Sequence, residues 1–413
     1  MQRKTTPHED DIICTLSKAR QLILEHLRRL PSEDVEIRDA LGRRTLADIP
    51  APQPVPGYAE SIRDGYVIPS VDDGGGTWQF RIVDEIAAGR VEPVVRLVPG
   101  TACRIMTGGM VPEGSERVVP FEQCVEQDGL VTIPEHLLQV PATFIRPAGS
   151  EIARGERLVG GGVRLQGEHL ELLSSCGINE IGVAANPAVG YFCTGSELKI
   201  SAEGLKGGQK VSSNSLLLAG ILASYGATLN DFGIAGDTFA ELSSVFAEMR
   251  EWQGDVVVST GGMGPGKYDL VEEAFWASGG LVFFNGLAMR PGKRMLFGQL
   301  GETLFFALPG PPHAVRTLLH TLVGPALLFM QGVEEEGPKK TRASLLHPLI
   351  IKKPDVLQLK DGVLQIAGGL CRVRLAGRLE TPNCHILLPP GQSRYEAEDQ
   401  VEVHVVGMPL ISL

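Results

Sequence analysis

The sequence predicts a multidomain α/β-plus-β protein: a central three-layer α/β domain with a mostly parallel sheet, flanked by a small β domain, a discontinuous N-terminal linker domain and a C-terminal β-barrel-like domain. Three observations predict it. Between residues 187 and 330, β-branched apolar runs alternate with helical segments of about 10 to 15 residues, the pattern of a parallel sheet covered on both faces. On either side, short β-like runs are broken by turns rich in Gly and Pro. The chain, at 413 residues, is too long for one hydrophobic core, so roughly two to four domains are expected.

Residues 10 to 30 place Ile12, Leu16, Ala19, Leu22, Ile23 and Leu27 at helical spacing until Pro31 ends the run. Four prolines in DIPAPQPVPGY, residues 48 to 58, read as a connector. From 60 to 147 the runs WQFRIV, CRIM and ERVVPFEQCV, separated by DDGGG, VPG and VPEG turns, predict a small mostly-β domain. Residues 148 to 182 are a Gly-punctuated β segment followed by the helix-like HLELLSSCG, expected to pack beside the N-terminal helix. The domains are therefore drawn at 1–50 with 148–182, at 51–147, at 183–333 and at 337–413. In the third, PAVGYFCTG, ATLNDFGIAG and DVVVSTGG read as strands, SLLLAGILASYG as a helix ended by Gly226, and TFAELSSVFAEMREW as a helix capped by Thr238. After an EEEGPKK linker, LLHPLIIKK, VLQLKDG, VLQIAGG, CRVRLAG, CHILLPPG and QVEVHVVG predict a small antiparallel β domain.

The formal net charge of −11 makes the surface as a whole repel nucleic acid and anionic membrane, so attraction for an anionic ligand has to be local. The seven cysteines are scattered, odd in number and never in a C-x-x-C pair, which points to free thiols, a reducing compartment and no structural zinc. MQRKTTPHEDD carries no apolar leader, and no stretch approaches the apolar length that spans a bilayer; a cytoplasmic location is expected.

The strongest local signal is Asp255 to Asp269, DVVVSTGGMGPGKYD: a buried-strand run, then Gly261, Gly262 and Gly264, then helical LVEEAFW. Strand, glycine turn and helix can present backbone N–H groups and a positive dipole end to an anion. It is no Walker P-loop, because Tyr268 follows Lys267, and as bare spacing it reads equally as a structural turn. Asp269 shifts the balance, since a carboxylate beside a phosphate cradle makes sense as a metal ligand. Glu197, after Thr194-Gly195-Ser196, and Asp237, after Gly236, fall at expected carboxyl ends of parallel strands, where ligands of open α/β sheets bind. Asp237 reads either as a site residue or as a helix cap, and Glu197 either as a site residue or as a solvated loop charge. MRPGKRMLF puts Arg290, Lys293 and Arg294 around a Pro-Gly turn suited to a small oxyanion or simply to solvent. Pro309-Gly310-Pro311-Pro312 is a stiff turn able to shape a pocket wall. By pattern alone, the clusters at Ser61–Tyr66 and Arg104–Gly109 are ordinary turns, and the nine histidines show no metal-ligand spacing.

In order, ALGRRTLADIPAP, PGYAESIRDGYV, CRIMTGGMVPEG, GSEI, CTGSEL, SSNS, GIAGD, STGGMGPGKYD, AMRPGKR and ALPGPP resemble the MoeA family of molybdenum-insertion enzymes and the E domain of gephyrin, over essentially the whole chain. The resemblance implies a MogA-like central domain and a homodimer with a composite active site. It implies insertion of molybdate, or tungstate, into adenylylated molybdopterin, with Mg²⁺-dependent release of AMP. Position by position, it assigns Glu197, Asp237 and Asp269 to Mg²⁺ and pyrophosphate, Lys293 with Arg290 to the oxyanion, and Asp64 and Thr107 to the partner subunit's half of the site. Ser61, Thr194, Gly195, Asn214, Gly261, Gly262 and Gly264 would contact substrate, and Pro309 and Pro312 would shape the pocket. The chain departs from the family pattern in several places. Arg290 stands for a second lysine, Arg294 for a proline, Ser213 for an aspartate and Gly264 for a serine; Gly310-Pro311-Pro312-His313-Ala314 replaces G-N-P-V-S, and the C-terminal domain lacks a Ser-rich stretch. A non-catalytic molybdopterin-binding paralogue and a molybdopterin adenylyltransferase are the alternative readings.

Overall fold

The computed structural model describes residues 12–71, 78–91, 95–266, 268–334 and 337–412. The MQRKTTPHEDD segment, the DDGGG turn, Lys267, and Glu335 and Glu336 of the linker lie outside the described residues.

The alternating region folds as expected. Strands β1 (Ala188–Thr194), β2 (Thr228–Ala235), β3 (Val256–Thr260), β4 (Leu281–Phe284), β5 (Leu296–Leu300) and β6 (Thr303–Leu308) form one sheet in the order β2-β1-β3-β6-β5-β4. The first four strands are mutually parallel, and β5 runs antiparallel to both its neighbours, β6 and β4. Strand β3 is buried along its whole length because its side chains alternate between two cores. Val256 and Val258 face the layer containing Leu218, Leu222 and Val315, whereas Val257 faces Phe192, Phe246, Phe275 and Phe305. In the second layer Phe275 and Phe305 stack at 4.6 Å and Phe246 meets Phe305 edge-on at 5.4 Å, burying the large apolar area that aromatic pairs contribute.

Helix α1 (Leu16–His26) begins at Thr15, whose hydroxyl accepts from the Lys18 N–H, and stops at Leu27, short of the expected end before Pro31. Its placement corrects the expected domain boundary. Leu16, Ala19, Ile23 and Leu30 join the core built on β1, β3 and β6, and the preceding Ile13–Cys14 strand pairs in parallel with Gly286–Leu287. The helix therefore packs on the α/β domain and not on residues 148–182. What does pair across the interruption is Ser32–Glu36 with Glu180–Ala184 and Ile49–Pro50 with Arg157–Val159, around a core of Ala40, Val159, Leu165, Leu173, Ile181 and Val183.

The small β domain holds a six-stranded sheet with cores on both faces, Tyr66 and Ile68 on one and Val67 on the other. Helices α2 (Ser213–Ser224), α3 (Phe239–Trp252), α4 (Val271–Ala277) and α5 (Pro312–Leu318) complete the α/β domain. C-terminally, β7 (Lys340–Leu345), β8 (Leu357–Ala367), β9 (Leu370–Leu375), β10 (Cys384–Leu388) and β11 (Gln400–Val405) pair in the ring β8-β9-β7-β11-β10-β8, a closed five-stranded barrel. The expected all-antiparallel arrangement is corrected at one seam, β7 with β9, which is parallel. Closure leaves no unpaired edge among these strands. All seven cysteines are free thiols, and five of them are buried. Among the described residues, no helix is long and apolar enough to cross a membrane.

Candidate functional site

The parallel strands end together at a cleft of about 500 Å³ lined by Thr194, Gly195, Glu197, Asp237, Gly261 to Gly264, Tyr268, Asp269, Arg294 and Pro309 to Pro311. Four sides come from the carboxyl ends of β1, β2, β3 and β6, the position at which open α/β sheets bind ligands, and Arg294 comes from the entry of antiparallel β5. Glu197, Asp237 and Asp269, scattered over 72 positions of sequence counted from 197 to 269, thus share one cleft.

Backbone geometry explains the glycines. Gly261 has φ of +96°, and a Cβ there would lie 2.6 Å from both the carbonyl oxygen and Oγ1 of Thr194. Its N–H is taken by the Leu308 carbonyl, which locks the turn after β3 to the end of β6. A Gly261→Ala chain is expected to lose roughly 1–3 kcal/mol of stability, because the left-handed backbone and the clash both oppose the methyl group; a urea-unfolding midpoint equal to that of the parent would refute this. At Gly264 an added Cβ would sit 2.7 Å from the Asp269 carboxylate, so this carboxylate fills the space where the family motif carries a serine side chain.

The acidic groups are held by backbone donors. Asp269 Oδ2 accepts from the Gly266 N–H at 2.8 Å. Asp237 Oδ2 accepts from the Ser196 N–H at 2.8 Å, while the Asp237 N–H donates to Ser196 Oγ at 3.0 Å, so the β1 and β2 loops are clasped reciprocally. This resolves the two readings of Asp237: the cap of α3 is Thr238, whose hydroxyl accepts from the Glu241 N–H. Among the described residues, no group of three or more His, Cys, Asp and Glu side chains is gathered to hold a metal; Glu197, Asp237 and Asp269 share the cleft without forming such a group. Helix α4 is also a weaker anion anchor than expected. Its first turn carries Glu272 and Glu273, which oppose an anion there, and the Val271 N–H is spent on the Gly262 carbonyl.

Other expected site residues fall elsewhere. Lys293 is exposed and does not line the cleft; Arg290 lies on a short strand paired with the barrel, opposite Gln358. Of the three cations around the Pro-Gly turn, Arg294 is the one that lines the cleft. Pro311 lines it in place of Pro312, which is the first residue of α5, where proline's fixed φ and missing N–H cost nothing. Asn214 braces the wall, its amide donating to the Gly310 carbonyl at 2.8 Å and to Thr260 Oγ1 at 3.3 Å. Ser61 is 1% exposed with its hydroxyl on the Arg63 carbonyl, so it holds its own turn and is not placed to touch a ligand. Asp64 and Thr107 meet on the small β domain: the Asp64 carboxylate accepts from the Thr107 N–H at 2.7 Å and the hydroxyl at 2.8 Å. Those bonds, the backbone one foremost, hold the Asp64 carboxyl below the usual range. Neither residue lines this chain's cleft. Sequence reasoning missed Met263 and Tyr268 as lining residues; it marks Pro311 only as part of the stiff turn and Arg294 only among the three cations of the Pro-Gly turn.

A glycine-turn cleft at the carboxyl ends of a parallel α/β sheet, with a β domain before it and a closed barrel after it, places the chain among multidomain α/β proteins that carry their site at the strand ends. Residues 14–177 match a family model described as the MoeA N-terminal region (domain I and II), and residues 190–328 match one described as a probable molybdopterin binding domain. The chain is 27% identical over 400 residues to a molybdopterin molybdenumtransferase of Staphylococcus aureus strain MSSA476, covering 94% of each, and 26% identical over 399 residues to that of Staphylococcus epidermidis strain RP62A, covering 92% of this chain and 94% of the relative. A solved molybdopterin biosynthesis MoeA protein from Pyrococcus horikosii superposes with a TM-score of 0.82 at 27% identity, covering 96% of this chain and 100% of the other. The chain belongs to the MoeA family.

Proposed function

We propose that this chain acts in molybdenum-cofactor biosynthesis as a transferase that inserts molybdate, or tungstate, into adenylylated molybdopterin with release of AMP. The carrying observation is the cleft: backbone turns at Gly261 and Gly310 give room for close approach, and three acidic residues and one arginine line it. The lining of described residues is net acidic, so a phosphorylated ligand requires an accompanying cation.

Mg²⁺ suits this donor set, because it retains several waters and takes only one or two protein carboxylates beside substrate phosphate, and no protein cage is needed. Asp237 and Asp269 would hold it, since each fixes one oxygen on a backbone N–H and, among the described residues, no bond occupies the other. When bound, the ion would neutralise charge on the leaving phosphate oxygens. The chain's own residues orient: Asn214 fixes the Gly310 wall, and Ser196 holds Asp237 in place.

Asp64 and Thr107 lie on the small β domain and outside this cleft, which supports a composite site in a homodimer, with the partner subunit supplying this pair. A non-catalytic pterin-binding role is favoured by one observation, the loss of the family's serine hydroxyl at Gly264, beside Asp269. The test mixes purified protein with adenylylated molybdopterin, molybdate or tungstate, and Mg²⁺, and follows AMP by chromatography. AMP appearing only when oxyanion and Mg²⁺ are both present is the expected outcome; retained pterin binding without AMP would establish the scaffold role, and ATP-dependent adenylylation of molybdopterin would establish the adenylyltransferase.

A further inference from the structure

We infer that Arg294 is the side chain with which this cleft recognises a doubly charged tetrahedral oxoanion, the task that sequence assigns to Lys293 and Arg290. The inference deepens the function proposed above and rests on it for the identity of the natural ligand.

Arg290, Lys293 and Arg294 lie within five residues, yet the turn sends them to different places. Arg290 is paired with the barrel strand at Gln358. Lys293 is exposed, its carbonyl tied to the Leu287 N–H, and it lies outside the cleft wall. Arg294 is half-buried, is followed by fully buried Met295 at the entry of β5, and lines the same wall as Pro309 to Pro311. The anchoring of Met295 in the core between α1 and the sheet fixes the root of Arg294. Among the described lining residues Arg294 is the one basic residue, in a cleft it shares with Glu197, Asp237 and Asp269. A planar guanidinium in that place offers a bidentate fork to two oxygens of one tetrahedral anion, which an ammonium cannot match.

Binding of three probes, molybdate, inorganic pyrophosphate and adenylylated molybdopterin, is measured by calorimetry for the parent, Arg294→Gln, Arg294→Lys and Lys293→Gln proteins. Arg294→Gln is expected to weaken oxoanion binding about 10- to 100-fold, the loss of one or two charge-assisted hydrogen bonds. Arg294→Lys should recover part of it, and Lys293→Gln should cost less than Arg294→Gln. Weakening confined to molybdate identifies the free oxyanion as the ligand of Arg294, and weakening confined to pyrophosphate and the pterin compound identifies the phosphate; either result supports the assignment. Arg294→Gln protein that unfolds at the parent's temperature and binds all three probes as the parent does overturns it, as does a parent that binds none. A parent that binds pyrophosphate or molybdate but not the pterin compound refutes the proposed substrate and leaves the Arg294 assignment to stand or fall on the Arg294→Gln comparison.

Discussion

Replacing Asp269 with Asn is expected to lower AMP release about 100- to 1000-fold while leaving the fold intact, because several kcal/mol of charge stabilisation are withdrawn from the leaving phosphate. The substitution is nearly isosteric. Asn keeps an oxygen to accept the Gly266 N–H that now reaches Asp269 Oδ2 at 2.8 Å, and it fits beside Gly264, where the present carboxylate leaves no room for a side chain. The loss thus isolates charge from shape. Asp237→Asn is the companion, since that carboxylate likewise uses one oxygen on the Ser196 N–H. A Asp269→Asn enzyme turning over within about threefold of the parent, a difference under 1 kcal/mol, would remove the carboxylate from the proposed chemistry.

The second large effect is on stability in acid. Where α5 and the π-helical turn Leu319–Val323 meet the barrel, three histidines cluster: half-buried His320, and fully buried His385 and His404, which face each other across β10 and β11. Around them stand Arg316 of α5 and Asp361 of β8, bridged at 2.5 Å, Tyr225 with its hydroxyl 2.9 Å from His320 Nδ1, Arg20 of α1 and Lys340 of β7. His385 Nδ1 lies 3.2 Å from Asp361 Oδ1, out of line for a hydrogen bond. Burial, then the electrostatic influence of His385 and Arg316, pushes His320 down to about 4. Burial, then Arg20 and Lys340, pushes His404 down to about 3.

Both folded-state values lie below the unfolded value near 6.5, so above it neither state is protonated and nothing is lost. As pH falls below it, the unfolded chain takes up protons that the folded chain refuses, and stability declines down to about pH 4 for His320 and about pH 3 for His404. His320 alone accounts for roughly 3 kcal/mol of that decline. Asp361 adds to it at the acid end: burial raises its carboxyl, but the close contact with His385 and the bond from Arg316 outweigh this and hold it low, so its contribution fades as pH falls through that lowered value. Urea unfolding at about pH 7.5 and about pH 4.5 should show the drop, and His320→Gln, which can still bond Tyr225, should reduce its histidine part by about half, His404 carrying the remainder. Equal midpoints at the two pH values would dispose of the idea.

Much of the site was legible. Thr238 as a cap, the buried VVVST strand, the glycine turn at 261–264 and the acidic trio at strand ends all follow from local rules of periodicity and backbone freedom, and the structure puts the trio around one cleft. The misplacements share a physical cause. An amphipathic stripe shows that a face of α1 is buried but not against which partner, and several apolar surfaces of the chain would serve equally well. Likewise, three cations in a five-residue turn have the same composition whichever way each side chain fans out. The buried histidine cluster was invisible because its members come from positions 320, 385 and 404, on three separate elements.

The sequence by itself determined which segments are strands and helices, which turns demand glycine, and which family's order of motifs the chain carries, because these depend on neighbours a few residues apart. Only the tertiary structure decided that α1 belongs to the α/β core, that the last five strands close through a β8–β10 pairing, and that Arg294, not Lys293, enters the cleft. Those outcomes are set by contacts between residues far apart in sequence, where the competing arrangements bury similar apolar area and only complete packing separates them.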